Sequence, residues 1–314
     1  MKVKPRDISK QLVIDLSHEQ GYRRGHIQGA VNLSVEKFDF TRKVDVYGGI
    51  TRGVLFFKKK RGGYEKMIIL KKNKINKQAK PHLMPKQGGG EFLKKKIVAI
   101  DEIYEVMKNL GLNNNTSEII LYDNSAMLAC RMWFVLRYFG FRNVRVLNGG
   151  WRAWLKSGLP VDEKATVLKP GESLDLKPKR SYLLTKPTQM VFDVEHKTSK
   201  YIDARLPTAY KGLLLFSNNY HIDGAINIPC TELMEDAIFK SVHDIRRTVE
   251  TTGVDMEVDR FICYSGRGLS GAVDLFALMM VGADKVSLYD AGVNNWRQNF
   301  DSKLSADAED FLKH

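Results

Sequence analysis

The sequence predicts an α/β protein made of two tandem domains, each a small parallel β-sheet flanked by helices. The chain has 314 residues, a length that suits two domains better than one. A block of sequence occurs twice, far apart in the chain, as in a duplicated domain. In each copy, short apolar runs typical of strands alternate with segments whose apolar residues recur at helical spacing.

The repeated block has the pattern HI-x-GA-(V/I)-N-(L/I) and covers His26–Leu33 and His221–Ile228. A short apolar run that ends in aspartate precedes each copy, QLVIDL in the first half and KYIDA in the second. Further on, both halves continue with a strand, a loop, an apolar helix and another strand that ends near a tryptophan, Trp154 or Trp296. The two halves are therefore expected to share one topology.

The prolines indicate where the two domains meet. The segment Leu159–Pro187 holds four of the nine prolines and many charged residues, which is the composition of a semi-extended linker. We expect an N-terminal domain at residues 1–165, a linker at 166–187 and a C-terminal domain at 188–314.

The charge of the chain is concentrated in one segment. Residues 42–96 contain 17 lysines and arginines and three acidic residues, a net charge of +14 that equals the value for the whole chain. With its GGG and RGG breaks, this Lys-rich insertion of the first domain is more typical of a solvated loop than of a binding face. Nucleic acid is not expected as a partner. A membrane is not expected either, because the sequence has no run of eighteen or more apolar residues.

The cysteines are three in number, Cys130, Cys230 and Cys263, which indicates a reducing compartment rather than a disulfide framework. The first residues contain neither a signal-peptide apolar region nor a long presequence rich in arginine and serine. The expected location is the cytoplasm, with the mitochondrion as the alternative.

The segment Arg260–Val281 is the strongest candidate for a reactive site. It is predicted to hold the end of a buried strand, a glycine-punctuated loop that opens with Cys263, and a helix from Leu269 onwards. Backbone N–H groups and a helix N-terminus would then converge on the thiol and lower its pKa from the free value of about 8.5. The opposite interpretation is that Cys263 is a small buried hydrophobe at the end of a strand.

The first half has no thiol at the equivalent place. When the halves are aligned on Gly140 and Gly282, Cys263 corresponds to Leu121. Cys130 falls inside the following helix, where packing in the core is the expected role. Any chemistry is therefore assigned to the second half.

Taken together, the two HI-x-GA-(V/I)-N blocks, the strand Tyr201–Arg205, the LNGGWRAW segment and the cysteine-led loop resemble the two-domain rhodaneses. That family comprises the thiosulfate and 3-mercaptopyruvate sulfurtransferases, and the resemblance covers nearly all of the chain outside the Lys-rich insertion. It implies two rhodanese-like domains, a silent first one and a catalytic second one whose loop cysteine carries sulfur as a persulfide. Cys263 would take sulfur from thiosulfate or 3-mercaptopyruvate and pass it to cyanide or a thiol. No metal and no organic cofactor is expected.

The resemblance also suggests residues that would bind the donor. Arg267 is the cation of the loop, and Arg205 matches a family position that approaches the carboxylate of the donor. An exposed arginine and a structural salt bridge are the respective alternatives. Ser265 lies where mercaptopyruvate enzymes carry a loop serine. His26 lies in the block that supplies a histidine near the cleft of those enzymes, but a local hydrogen bond is favoured because the same histidine recurs as His221.

Three departures from the family pattern leave a second function open. The interval from Cys263 to Gly282 is about two residues longer than usual, the stretch after Arg205 lacks further arginines, and YDAGVNNW replaces the usual ending. A catalytically weak or inactive rhodanese-fold protein that carries persulfide or binds a ligand is the alternative. A related phosphatase would need an arginine six residues after the cysteine, where this chain has Leu269.

Overall fold

A computed structural model describes residues 11–34, 43–44, 56–60, 63–67, 97–98, 100–113, 116, 118–168, 170, 174–212, 221–266, 268–299 and 304–305. The elements of the first half are β1 (Leu12–Asp15), α1 (Glu19–Arg24), β2 (His26–Ile27), β3 (Val31–Asn32), β4 (Lys43–Val44), β5 (Phe56–Lys60), β6 (Gly63–Met67), β7 (Ile97–Val98), α2 (Ile100–Asn109), β8 (Ile119–Tyr122), α3 (Met127–Tyr138), β9 (Val144–Val146), α4 (Gly150–Lys156) and β10 (Val161–Asp162).

The elements of the second half follow a short 3-10 helix at Ser181–Leu183. They are α5 (Pro187–His196), β11 (Lys200–Asp203), α6 (Pro207–Tyr210), β12 (His221–Ile222), β13 (Ala225–Asn227), α7 (Cys230–Leu233), β14 (Met234–Glu235), β15 (Ile238–Phe239), α8 (Val242–Glu250), β16 (Phe261–Tyr264), α9 (Leu269–Met280), β17 (Val286–Tyr289), α10 (Gly292–Asn299) and β18 (Leu304–Ser305).

The two halves contain the same parallel sheet. The strand order is β3-β1-β8-β9 in the first half and β13-β11-β16-β17 in the second, and all neighbours are parallel. The central strands are buried on both faces, as strands covered by helices must be, which explains their continuous apolar runs. The predicted α/β class and the duplication are confirmed.

The registers of the two sheets also correspond. Leu121 pairs with Ile14 in the first half, and Cys263 pairs with Ile202 in the second. Leu121 and Cys263 are both fully buried. Cys263 therefore occupies a core position within a strand.

The helices α3 and α9 join the halves. Trp133 and Phe276 meet edge to face, with ring centroids 5.0 Å apart. A single apolar cluster continues from the first sheet through these helices to the second. Burial of this surface stabilises the contact between the halves.

The chain that connects the halves is bonded to both of them. The amides of Lys179 and Arg180 donate to the carbonyl of Tyr138, and the amide of Thr185 donates to the carbonyl of Leu288. The boundaries predicted at 165 and 188 remain predictions.

Much of the predicted Lys-rich insertion lies outside the described residues. Within it the backbone of β5 and β6 forms an antiparallel hairpin, and β4 pairs in parallel with β7 just beyond it. Across the described ranges, no helix has the length and apolarity needed to cross a membrane.

Candidate functional site

The candidate site is the loop that links β16 to α9, residues 265–268, of which the structure describes Ser265, Gly266 and Gly268. It leaves the carboxyl end of a central parallel strand, which is where ligands usually bind in α/β sheets. Gly268 caps α9 in the left-handed conformation with φ 85°, so the loop turns sharply into the helix. The predicted helix start at Leu269 is confirmed.

The loop begins at Ser265, not at Cys263. Strand β16 extends to Tyr264, so the whole run Phe261–Tyr264 is part of the sheet. The hydroxyl Oγ of Ser265 accepts a hydrogen bond from the amide of Gly268 at 2.9 Å, and its carbonyl accepts one from the amide of Val293 at 2.9 Å. Ser265 is 2% exposed.

The expectation that Cys263 opens the loop as an activated thiolate is contradicted by the geometry. Its side chain is 0% exposed and packs in the apolar core shared by the two halves. Burial raises the pKa of Cys263 well above its ordinary value, and the nearby charge of Asp274 raises it further. A thiol in this setting stays protonated at neutral pH, so it is a poor nucleophile.

The other two cysteines are also buried. Burial, followed by the charges of Asp123, Cys230 and Asp274, raises the pKa of Cys130. Burial and Asp274 raise the pKa of Cys230 to about 12. The core role expected for Cys130 agrees with its 0% exposure.

The equivalent loop of the first half begins at Asp123, and its carboxylate is bound by the loop itself. Oδ2 accepts hydrogen bonds from the amide of Ser125 at 3.2 Å, its hydroxyl at 2.7 Å and the amide of Leu128 at 3.4 Å, and Oδ1 accepts one from the amide of Ala129 at 3.4 Å. Burial raises the pKa of Asp123, while these hydrogen bonds act to lower it. The loop backbone and the start of α3 thus form a cradle for an oxyanion.

Contacts from the first residues of α4 and α10 show that Asp123 and Ser265 occupy equivalent positions in the two halves. A side chain on Gly150 would overlap the carbonyl oxygen of Asp123, and one on Gly292 would overlap that of Ser265. Both loops also end in a left-handed residue, Ala126 with φ 63° and Gly268 with φ 85°. Serine in the second half therefore stands where the first half has aspartate.

Arg205 is held beside the strand end by Asp203. Its Nη2 lies 2.6 Å from Oδ2, and its Nε donates to Oδ1 at 2.9 Å. Burial acts to lower the pKa of Arg205, but the hydrogen bonds and charge of Asp203 raise it overall. This contact is the structural salt bridge that was the alternative to donor binding for Arg205. The side chain remains 10% exposed near the loop, and its predicted role in donor binding stays a prediction.

The remaining predicted site residues divide into two groups. Arg267 lies outside the described residues. His26 and His221 have the local role that was favoured: each imidazole Nδ1 is 2.9 Å from a backbone oxygen, that of Tyr22 or Tyr210, and each ring stacks on the same tyrosine.

Sequence reasoning missed a buried carboxylate behind the loop. Asp274 on α9 is 0% exposed, and within the part of the chain that the structure describes neither of its oxygens has a hydrogen-bond partner. Burial, and after it the charge of Asp203, raises the pKa of Asp274 well above the usual value. The sequence signal was an acidic residue inside an otherwise apolar helical run.

No group of three or more histidine, cysteine or acidic side chains within the described ranges is arranged to hold a metal. A cavity of about 370 Å³ opens at the other end of β11, lined in part by Lys197, Lys200 and Asp223. It lies at the amino end of the strand, away from the loop, so we do not assign it to the site.

The family profile named Rhodanese-like domain matches residues 91–157 and 189–299, more than half of the chain. Thiosulfate sulfurtransferase of Mus musculus is 28% identical over 200 residues, an alignment that covers 60% of this chain and 65% of that protein. 3-Mercaptopyruvate sulfurtransferase of Escherichia coli is 29% identical over 199 residues, covering 60% and 68%. The chain thus aligns with slightly less than two thirds of the length of the mouse relative.

The fold is also found in solved structures. The 3-mercaptopyruvate sulfotransferase SseA of Escherichia coli superposes with a TM-score of 0.64 at 24% identity, covering 90% of this chain and 93% of SseA. An anaerobic ergothioneine biosynthesis enzyme from Chlorobium limicola superposes with a TM-score of 0.69 at 16% identity, covering 97% and 66%. At identities of 24% and 16%, these similarities show a shared fold and nothing about activity.

Proposed function

Because the chain belongs to the rhodanese-like domain family, we propose that it binds a small sulfur-containing anion at loop 265–268 and forms no cysteine persulfide there. It would act as a binding module with the fold of a sulfurtransferase. The observation that carries this proposal is that β16 ends at Tyr264, so serine is the first residue of the loop, and its hydroxyl accepts a hydrogen bond from the Gly268 amide.

With serine at this position, the loop has no side chain that could carry the transferred sulfur atom. A persulfide forms when a thiolate attacks the donor sulfur, and a hydroxyl cannot become that carrier. The loop sequence, Ser265-Gly266-Arg267-Gly268, contains no cysteine. The nearest thiol along the chain, that of Cys263, is buried in the sheet, and burial raises its pKa well above the ordinary value.

Anion binding is supported by the equivalent loop. In the first half, amides of Leu128 and Ala129 bind the Asp123 carboxylate. Their equivalents, Ser270 and Gly271, lie in the first turn of α9, whose N–H groups have no partner within the helix. The partial positive charge of the α9 N-terminus would favour an anion there. In the first half the carboxylate of Asp123 is that group, whereas Ser265 is neutral, so in the second half a ligand would supply the anion.

The names of the relatives support the proposed ligand class. Their names specify thiosulfate and 3-mercaptopyruvate, both small anionic sulfur compounds. Arg205, held by Asp203 and 10% exposed, would contact a second anionic group of such a ligand. A cytoplasmic or mitochondrial location remains part of the proposal.

Sulfur transfer through Cys263 is the second candidate, favoured by the activity in the relatives' names. The thiolate would attack the outer sulfur of thiosulfate and expel sulfite. Alternatively it would attack the sulfur of 3-mercaptopyruvate, whose C–S bond breaks so that its electron pair leaves as the enolate of pyruvate and is protonated. Cyanide or a thiol would then remove the sulfur from the persulfide. This route requires the end of β16 to open, because Sγ is sealed from solvent in the folded chain.

Mass spectrometry separates the two functions. After incubation with thiosulfate, the wild-type protein is expected to gain no sulfur atom on the peptide that contains Cys263, while calorimetry detects reversible binding of thiosulfate. The Ser265→Asp variant should lose that binding, because its carboxylate would fill the cradle as Asp123 does. A sulfur adduct on the wild type that the Cys263→Ser variant lacks would replace the proposal by the second candidate.

A further inference from the structure

We propose that the ion pair between Arg131 and Asp290 positions loop 265–268, so that the first half of the chain holds the binding loop of the second half. Arg131 would then be a positioning residue, acting on the loop through Asp290. This role does not require that the loop bind an anion.

The pair crosses between the halves and is buried. Arg131 lies on α3, and Asp290 follows β17. Nη1 of Arg131 is 2.6 Å from Oδ1 of Asp290, and Nη2 donates to Oδ2 at 3.0 Å, with side-chain exposures of 2% and 6%. The guanidinium also lies over the ring of Phe134, 5.3 Å from its centroid. The hydrogen bond to Oδ2 and the close charge contact with Oδ1 together hold the guanidinium in place.

The pair touches the end of the loop. A side-chain carbon on Gly268 would lie 2.5 Å from Oδ1 of Asp290 and 3.5 Å from Nη1 of Arg131. Gly268 is the left-handed residue that turns the loop into α9. A shift of Asp290 would therefore be transmitted to the turn that places the first amides of the helix.

The same segment also holds the start of the loop. Two residues after Asp290, the backbone of Gly292 lies against the carbonyl oxygens of Ser265 and Gly266. The amide of Val293 donates to the Ser265 carbonyl at 2.9 Å. Residues 290–293 thus contact both ends of the loop, and Arg131 anchors them to the first half.

The first half holds its own loop differently. Asn148 is the equivalent of Asp290, and its Oδ1 accepts a hydrogen bond from the amide of Phe239 in the second half at 2.7 Å. Its loop is filled by the Asp123 carboxylate, whereas the second loop has the neutral Ser265. The buried ion pair is thus found beside the loop of the second half, which has no carboxylate of its own.

Hydrogen exchange of the amides at 265–272, measured on the full chain by mass spectrometry, tests this role. The double variant Arg131→Met/Asp290→Asn removes both charges and leaves neither stranded in the core. We expect exchange in this peptide to accelerate by about tenfold or more relative to the wild type, with a smaller change at 123–129. Arg131→Lys retains the charge and is expected to give an intermediate rate.

The matched control is Asn148→Ala, which breaks the equivalent contact between the halves without touching loop 265–268. Its loop peptide should exchange at the wild-type rate. Wild-type exchange at 265–272 in both Arg131 variants would overturn the proposal. Equal acceleration in Asn148→Ala would also overturn it, because the effect would then come from the contact between the halves in general. Loss of thiosulfate binding alone would concern only the proposed function.

Discussion

Cys263 and Leu121 occupy the same position in the two sheets. Each pairs with an isoleucine of the neighbouring strand, Ile202 or Ile14, and each is fully buried. Two residues later, Ser265 and Asp123 begin the loops that lead into α9 and α3. This relationship separates the cysteine from the loop, so the loop that we propose binds an anion contains no thiol.

The buried position of Cys263 predicts how it tolerates substitution. Cys263→Ser should lower the free energy of unfolding by about 1–3 kcal/mol, because the hydroxyl would be buried among apolar side chains. Cys263→Val should cost less, since valine keeps an apolar group of similar size. Urea denaturation followed by circular dichroism measures both. Equal stability of the serine variant and the wild type would show that the side chain reaches water.

Its raised pKa predicts slow alkylation. Near pH 7, iodoacetamide should modify native Cys263 much more slowly than it modifies the chain unfolded in urea, because little thiolate forms and the site is closed. Peptide mapping at successive times gives the rate for each cysteine. Faster reaction of Cys263 than of a free thiol would contradict the buried site.

Asp274 predicts a pH dependence of stability. Its pKa is raised in the folded chain, so above the unfolded value of about 3.9 the folded state retains a proton that the unfolded state has lost. Stability from this group is complete below that pH and falls by about 1.4 kcal/mol per pH unit until the folded pKa is reached. The groups around it are Asp203, Cys130, Cys230 and Cys263.

The Asp274→Asn variant removes this dependence. The free energy of unfolding of the variant minus that of the wild type should increase from pH 4.5 to pH 7, as measured by urea denaturation at each pH. The same difference between variant and wild type at both pH values would show that Asp274 does not bind the proton.

Gly268 predicts a cost for any side chain. Gly268→Ala should destabilise the fold by about 3 kcal/mol, because it combines a left-handed backbone with overlap against Asp290. Gly253→Ala is the control, since its φ is 80° but, apart from its chain neighbours, no atom of the described residues lies within 4 Å of the added carbon. That variant should lose only about 1–2 kcal/mol in the same denaturation experiment. Equal losses would mean that the loop moves away from Asp290 without cost.

The fold could be predicted because its signals are local and occur twice. The HI-x-GA-(V/I)-N blocks and the alternation of apolar strands with helices need no knowledge of contacts, and the structure has the two parallel sheets they indicate. The start of α9 at Leu269 was predicted from apolar spacing and the glycines before it, and it is confirmed.

The start of the loop was predicted two residues too early. A buried parallel strand is apolar throughout, so no alternation of polar and apolar residues marks where it ends. The sequence therefore allowed the strand to end before Cys263 and the loop to begin there, within the run Phe261–Tyr264. The signal that could have corrected this was present: the cysteine lay about two residues too far from Gly282, and the alignment on Gly140 placed it opposite Leu121. The Arg131–Asp290 pair joins residues far apart in the chain, and no local pattern indicates such a contact.

Thiocyanate formation from thiosulfate and cyanide tests the central claim most directly, with wild type, Ser265→Cys and Cys263→Ser assayed together. The introduced thiol would lie at the start of the loop, beside the Gly268 amide, so Ser265→Cys should form thiocyanate at least about tenfold faster than the wild type. The other two proteins should remain at the rate of the uncatalysed reaction. Turnover by the wild type that is lost in Cys263→Ser and unchanged in Ser265→Cys would contradict the account.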